Sequence, residues 1–190
     1  MKQEEPLFEG DEDIKIASPL KKPKADPRQE GEEILEQLHE AGEEGRLACT
    51  KALGRDVAEK IYRCEREFSI TSETDRSLLY QCRLLLLFSV TVASERYMPN
   101  TILARTLINS CYEEIERLCP EIFSGDGDYS TALSFYYLAV RGADDVEQEI
   151  GRTFAVVCEK PGDREVEKLG TTLFERCTEY IRKNSAKCIE

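Results

Sequence analysis

Leu78-Leu79-Tyr80-Gln81-Cys82-Arg83-Leu84-Leu85-Leu86-Leu87-Phe88-Ser89-Val90-Thr91-Val92 is the most apolar stretch of the 190-residue chain, and the fold turns on what it forms. An apolar run as short as Leu84–Phe88 suits a buried strand or a buried helix equally. Its surroundings decide for helix. Ser72 stands three residues before Asp75 in a capping-box-like start, and Arg76 to Phe88 contains neither Gly nor Pro. The uninterrupted apolar run falls well short of the roughly 18 residues a bilayer span requires, and Arg83 would lie in hydrocarbon. The sequence therefore predicts a helix over about residues 74–97, apolar nearly all round and buried in the middle of a bundle. Arg76, Arg83 and Ser94 share one stripe of that helix, with Tyr80 between the two arginines. Along this polar seam Arg83 is expected either to meet a carboxylate of a neighbouring helix or to reach solvent along its own stem. An anion-binding role for Arg76 and Arg83 is the sharper alternative; the structural role is preferred, because buried charge is seldom left unpaired.

The segments on either side read as helices too. Upstream, Cys49, Leu53, Val57, Ile61, Cys64 and Phe68 step by four, four, four, three and four, one face of a helix from Arg46 to Phe68. Gly54 lies off that face, where it permits close approach or a slight bend. Residues 70–72 form the turn into the central helix. Downstream, Pro99 ends that helix and stands near the start of the next. Ala104, Leu107, Ile108, Cys111, Ile115 and Leu118 then form a stripe that stops at Pro120. Thr131 to Arg141 is a short, very apolar helix. Its three adjacent aromatics, Phe135, Tyr136 and Tyr137, point round most of the circumference and are read as core, with one Tyr hydroxyl at the rim. Where one side is exposed, they are the candidate contact surface. Asp144 or Asp145 caps a helix with Val146, Ile150, Phe154, Val157 and Cys158 on one face, and Pro161-Gly162 breaks it. Asp163 caps the last helix, striped by Val166, Leu169, Leu173, Cys177, Tyr180 and Ile181. No stretch reads as a strand and no helical repeat recurs. The fold class is thus all-α: a single-domain bundle of six or seven helices around the segment at 74–97.

The first part of the chain has a different composition. Residues 1–29 carry four of the seven prolines and read as a disordered tail, acidic up to Asp13 and basic from Ile14 to Arg28. Lys21-Lys22-Pro23-Lys24 is read as a solvated spacer in preference to a targeting patch. Leu7 and Phe8 form a weak docking hook. Glu30 to Glu44 holds seven glutamates and no Lys or Arg, with a narrow stripe of Ile34, Leu35 and Leu38, and reads as a short peripheral helix.

Composition excludes several chemistries. A net charge of −12 argues against nucleic-acid and anionic-membrane partners. The single histidine, His39, leaves zinc enzymes and His-dependent hydrolases without their usual residues. The eight cysteines contain no CxxC, and the chain opens on acidic residues in place of a signal peptide. A cytoplasmic location with free thiols acting as small hydrophobes is the expectation. Asp126, Asp128 and Ser130 match the first positions of a calcium loop, but Thr131 and Tyr137 stand where Gly and an acid are required. No cofactor, metal or catalytic residue is expected. Two function classes follow. The preferred one is a non-enzymatic interaction or scaffold protein acting through protein–protein contacts or self-association, in the simplest case as a homodimer. The alternative is a small-molecule or anion-binding bundle, in one form an enzyme, that works with carboxylates and arginines. A polar cavity beside Arg83 would favour the second, and an outward apolar patch near Phe135–Tyr137 the first.

Overall fold

Asp75 sets where the central helix begins. Its carboxylate accepts from the Ser77 N–H at 3.1 Å and the Leu78 N–H at 3.4 Å, satisfying two of the donors that a helix start leaves open. The computed structural model describes residues 35–36, 39, 45–63, 75–124 and 128–189. Six helices run through them: α1 (Arg46–Arg63), α2 (Arg76–Tyr97), α3 (Thr101–Leu118), α4 (Asp128–Gly142), α5 (Val146–Val157) and α6 (Arg164–Ile189), with a 3₁₀ turn at Pro120–Ile122. The architecture is an all-α helical bundle without strands among the described residues. The disordered-tail reading, most of the acidic helix at 30–44, Ser72, the faces at Cys64 and Phe68, and the loop at Asp126 lie outside the described residues.

The helix starts follow the same rule. Asn100 accepts from the Leu103 N–H at 2.9 Å at the head of α3, Asp145 from the Gln148 N–H at 2.9 Å at α5, and Asp163 from the Glu165 N–H at 3.0 Å at α6. Gly162, at φ +82°, takes the left-handed turn between α5 and α6 that a side chain would strain. α4 starts at Asp128, three residues before the start at Thr131 that the sequence suggested.

α2 lies across α6, α3 and α4, and Leu84 to Val90 are all buried. By length and composition α2 could cross a membrane, yet its leucines are covered by other helices of the same chain. Polar side chains sit in this core because the helix itself satisfies them. Ser89 donates to the Leu85 carbonyl at 2.8 Å, Thr91 to Leu87 at 3.3 Å and Ser94 to Val90 at 2.6 Å. α1 packs chiefly on α3, where Gly54 brings the two backbones together: a Cβ there would stand 2.7 Å from the Leu107 carbonyl oxygen. α5 packs chiefly on α6.

The expectation of free thiols throughout is corrected at one place. Cys49 in the first turn of α1 and Cys188 in the last turn of α6 form a disulfide, with Cα atoms 5.4 Å apart. The stripe reading made each a small hydrophobe on its own helix; antiparallel packing of α1 on α6 instead sets them side by side, within the usual span of a bridge. Cys82, Cys111, Cys119, Cys158 and Cys177 stand outside any disulfide. Burial pushes the Cys111 thiol up to about 12 and that of Cys177 well above its ordinary value, so both act as the small hydrophobes expected.

Candidate functional site

Arg83 is half-buried, and among the described residues a helix-end carbonyl and a thiol receive its guanidinium. Its guanidinium donates to the Tyr62 carbonyl at the end of α1 (2.9 Å) and to the Cys119 sulfur after α3 (3.2 Å), and lies 5.6 Å over the Tyr62 ring. Carbonyls at a helix C-terminus lack intrahelical donors, so a cation is favoured there. The Cys119 thiol in turn donates to Glu121 at 2.9 Å. That bond, helped by a backbone N–H and by the Arg83 and Arg76 charges, holds the Glu121 carboxyl below its usual range. Arg76 is exposed two turns earlier. These residues, with Asp75 and Tyr80, line an open groove of about 1060 Å³. Polar groups thus converge beside Arg83. The guanidinium ties three elements together, and Glu121 already places a negative charge in the groove, so an incoming anion would meet both a committed donor and a repelling neighbour.

The three aromatics of α4 do not share one environment. Tyr136 is fully buried, 5.3 Å from the Phe88 ring, whereas Phe135 is 48% and Tyr137 44% exposed. The reading of all three as core holds for Tyr136 alone, because successive helical residues turn by about 100° and the three point round the helix. Tyr136 points into the bundle, Phe135 away from it, and Tyr137 along the flank, edge-on to Phe88 at 5.1 Å. Of the two tyrosines it is Tyr137 that is exposed, and the Tyr136 hydroxyl lies inside. It is buried and has no hydrogen-bond partner among the described residues, and burial holds its phenol well above the ordinary range. Tyr136→Phe is therefore expected to leave stability unchanged or raise it by about 1 kcal/mol, since it removes an unpaired buried polar group and keeps the ring. A urea titration showing a loss of more than about 1 kcal/mol would mean the hydroxyl is bonded after all.

Two residues the aromatic count did not point to complete the outward face. Leu138 is 68% exposed one turn on from Phe135, and Val156 of α5 is 52% exposed. With Ala139, Thr153, Glu149 and Arg152 they line a groove of about 360 Å³ between α4 and α5. Leu138 was legible as an apolar residue three places after Phe135; Val156 was not, because its neighbour Val157 carries the buried stripe. A further ring cluster, Tyr112, Phe123 and Tyr129 with centroids 5.3 to 6.4 Å apart, packs at the start of α4. Desolvation, and then a hydrogen bond with Tyr112, raises the Tyr129 phenol. His39 is exposed. Among the described residues no three His, Cys, Asp or Glu side chains gather as metal ligands.

No family model matches the chain, and no curated protein or solved structure is similar to it.

Proposed function

We propose that this protein is a non-enzymatic helical scaffold that works through protein–protein contact, and that the α4–α5 face is where a second copy of the chain docks. The observation that carries the reading is the outward cluster of Phe135, Leu138 and Val156, flanked by Tyr137. Large apolar side chains scattered singly on a surface need no explanation, but three around one groove between two adjacent helices form a patch. From their exposures and side-chain areas, the patch offers about 300 Å². A stable interface buries about 800 Å² per partner, with an apolar centre inside a polar rim, so the patch matches the centre of one side. The rim carries both signs. Glu149 pairs with Arg152 at 3.2 Å, and exposed Arg141 follows Leu138 by one turn. A two-fold copy brings opposite charges together across such a rim. A partner of one strong sign finds no complement there.

The anion-binding alternative has less support, because Arg83 is engaged within the bundle and Glu121 shares its groove. A cytoplasmic setting is part of the proposal.

Sedimentation equilibrium tests it directly. The wild-type chain is expected to be dimeric at micromolar concentrations. Leu138→Glu, which points outward and leaves the core alone, is expected to sediment as a monomer with unchanged helical circular dichroism. A wild type that stays monomeric at high micromolar concentration, or a Leu138→Glu variant that still dimerises, would overturn the docking face.

A further inference from the structure

The bridge between Cys49 and Cys188 joins residues 139 apart in the chain, and among the described residues the packing around it is thin. On α6 the buried side chains beyond Ile181 are Ser185 and Cys188, both small; on α1 the one before Leu53 is Thr50, with Leu47 half-buried beside it. Further along the α1–α6 seam the contacts are exposed and polar. The Tyr180 hydroxyl donates to the Asp56 carboxylate, and Lys60 lies 5.6 Å over the Tyr180 ring. Each helix is anchored elsewhere, α1 on α3 and α6 on α5 and α2. The bridge is therefore the chief tie between two helix ends that little apolar burial holds, while the rest of the bundle stands without it.

We propose that Cys49–Cys188 is a redox-reversible clasp: its reduction frees the last turns of α6 from the first turn of α1 and leaves the bundle folded. Several observations carry this. Among the described residues one bridge stands beside five cysteines outside any disulfide, a pattern closer to redox-sensing disulfides than to a disulfide-stapled scaffold. Cys49 is only half-buried, whereas Cys111 and Cys177 are enclosed in the core. The chemistry is ordinary exchange with a small thiol such as glutathione. A thiolate attacks the Cys49 sulfur, a mixed disulfide forms, and Cys188 leaves as a thiolate that takes up a proton. A second thiolate then attacks the outer sulfur of the mixed disulfide and releases Cys49. The bridge gains two electrons and the two small thiols end as their own disulfide. The inference is independent of self-association.

The test is a titration of the full chain through graded ratios of reduced to oxidised glutathione. At each ratio, alkylation and peptide mass spectrometry would follow Cys49 and Cys188, and hydrogen exchange would follow every helix. The bridge is expected to open within the titration. Amides at 46–50 and 183–189 should then exchange on the order of tenfold faster or more, while α2 stays protected. Cys188→Ser in oxidised buffer should reproduce the open pattern, and Cys158→Ser should not. The clasp is overturned if the bridge never forms in oxidised buffer, if it survives every ratio, if opening it leaves exchange at both ends unchanged, or if opening it removes protection from α2 as well.

Discussion

Leu85→Ala is expected to cost about 3–5 kcal/mol of folding stability, the upper part of the range for buried leucines. The cost has two parts. The removed methyl groups lose their transfer from water, and the space they leave must either collapse or stay empty. Collapse is hard here. Leu85 stands in an unbroken buried run from Leu84 to Val90, and the helix is enclosed by α3, α4 and α6. Its backbone cannot shift toward any one of them without opening a gap against another. The Leu86 carbonyl already receives the Cys177 thiol of α6 at 3.8 Å, so the adjacent turn is held as well. In a domain of this size the midpoint of thermal unfolding should fall by roughly 10 °C. Leu138→Ala is the control: the same deletion on a side chain facing outward should change stability by less than about 0.5 kcal/mol. A Leu85→Ala loss under about 1 kcal/mol, by urea titration, would show that α2 is not the centre of the bundle.

What the sequence made legible was whatever is written locally. Helix starts at Asn100, Asp145 and Asp163 carry their caps in the chain, and the central run at Leu84–Val90 is too apolar to lie anywhere but inside. What it left open depends on rotation and distance. Three adjacent aromatics announce a helix with an apolar side but not which of them faces in; the placement of α4 on α2 and α5 chose Tyr136. Arg83 announces a buried cation that needs acceptors; a helix-end carbonyl and a thiol are among them, and neither has a signature in sequence. Eight cysteines allow about a hundred complete pairings, so Cys49 with Cys188 could be found only once α1 and α6 were side by side. The stripe analysis also passed over Gly151 and Gly170, since a glycine adds nothing to an apolar stripe.

Those two glycines set how closely α5 and α6 approach. A Cβ on Gly151 would collide with the Thr171 hydroxyl and stand 2.5 Å from the Glu167 carbonyl oxygen; a Cβ on Gly170 would stand 2.6 Å from the Phe154 Cβ and 2.8 Å from its ring. Each helix thus offers a gap where the other needs one. Thr171 also donates to the Glu147 carbonyl across the seam at 3.2 Å, a bond that requires this close approach. Gly170→Ala is expected to cost about 1–3 kcal/mol, despite the better helix propensity of alanine, because it overpacks a fully buried site. The cause can be isolated. Phe154→Ala alone should cost about 3–5 kcal/mol through the cavity it leaves. In that background the ring atoms that the new methyl would strike are gone, and the Cβ left at residue 154 has the emptied space to shift into. Gly170→Ala should then cost at least about 1 kcal/mol less than it does in the wild type. The coupling between the two substitutions is therefore expected to be at least about 1 kcal/mol in favour of the double variant. Gly151→Ala gives the contrast. It strikes backbone, which no side-chain deletion relieves, so its cost should add to that of Phe154→Ala. Additive costs for Gly170→Ala and Phe154→Ala, measured by urea titration of all four chains, would mean that Phe154 does not sit over Gly170 and that α5 crosses α6 at another place.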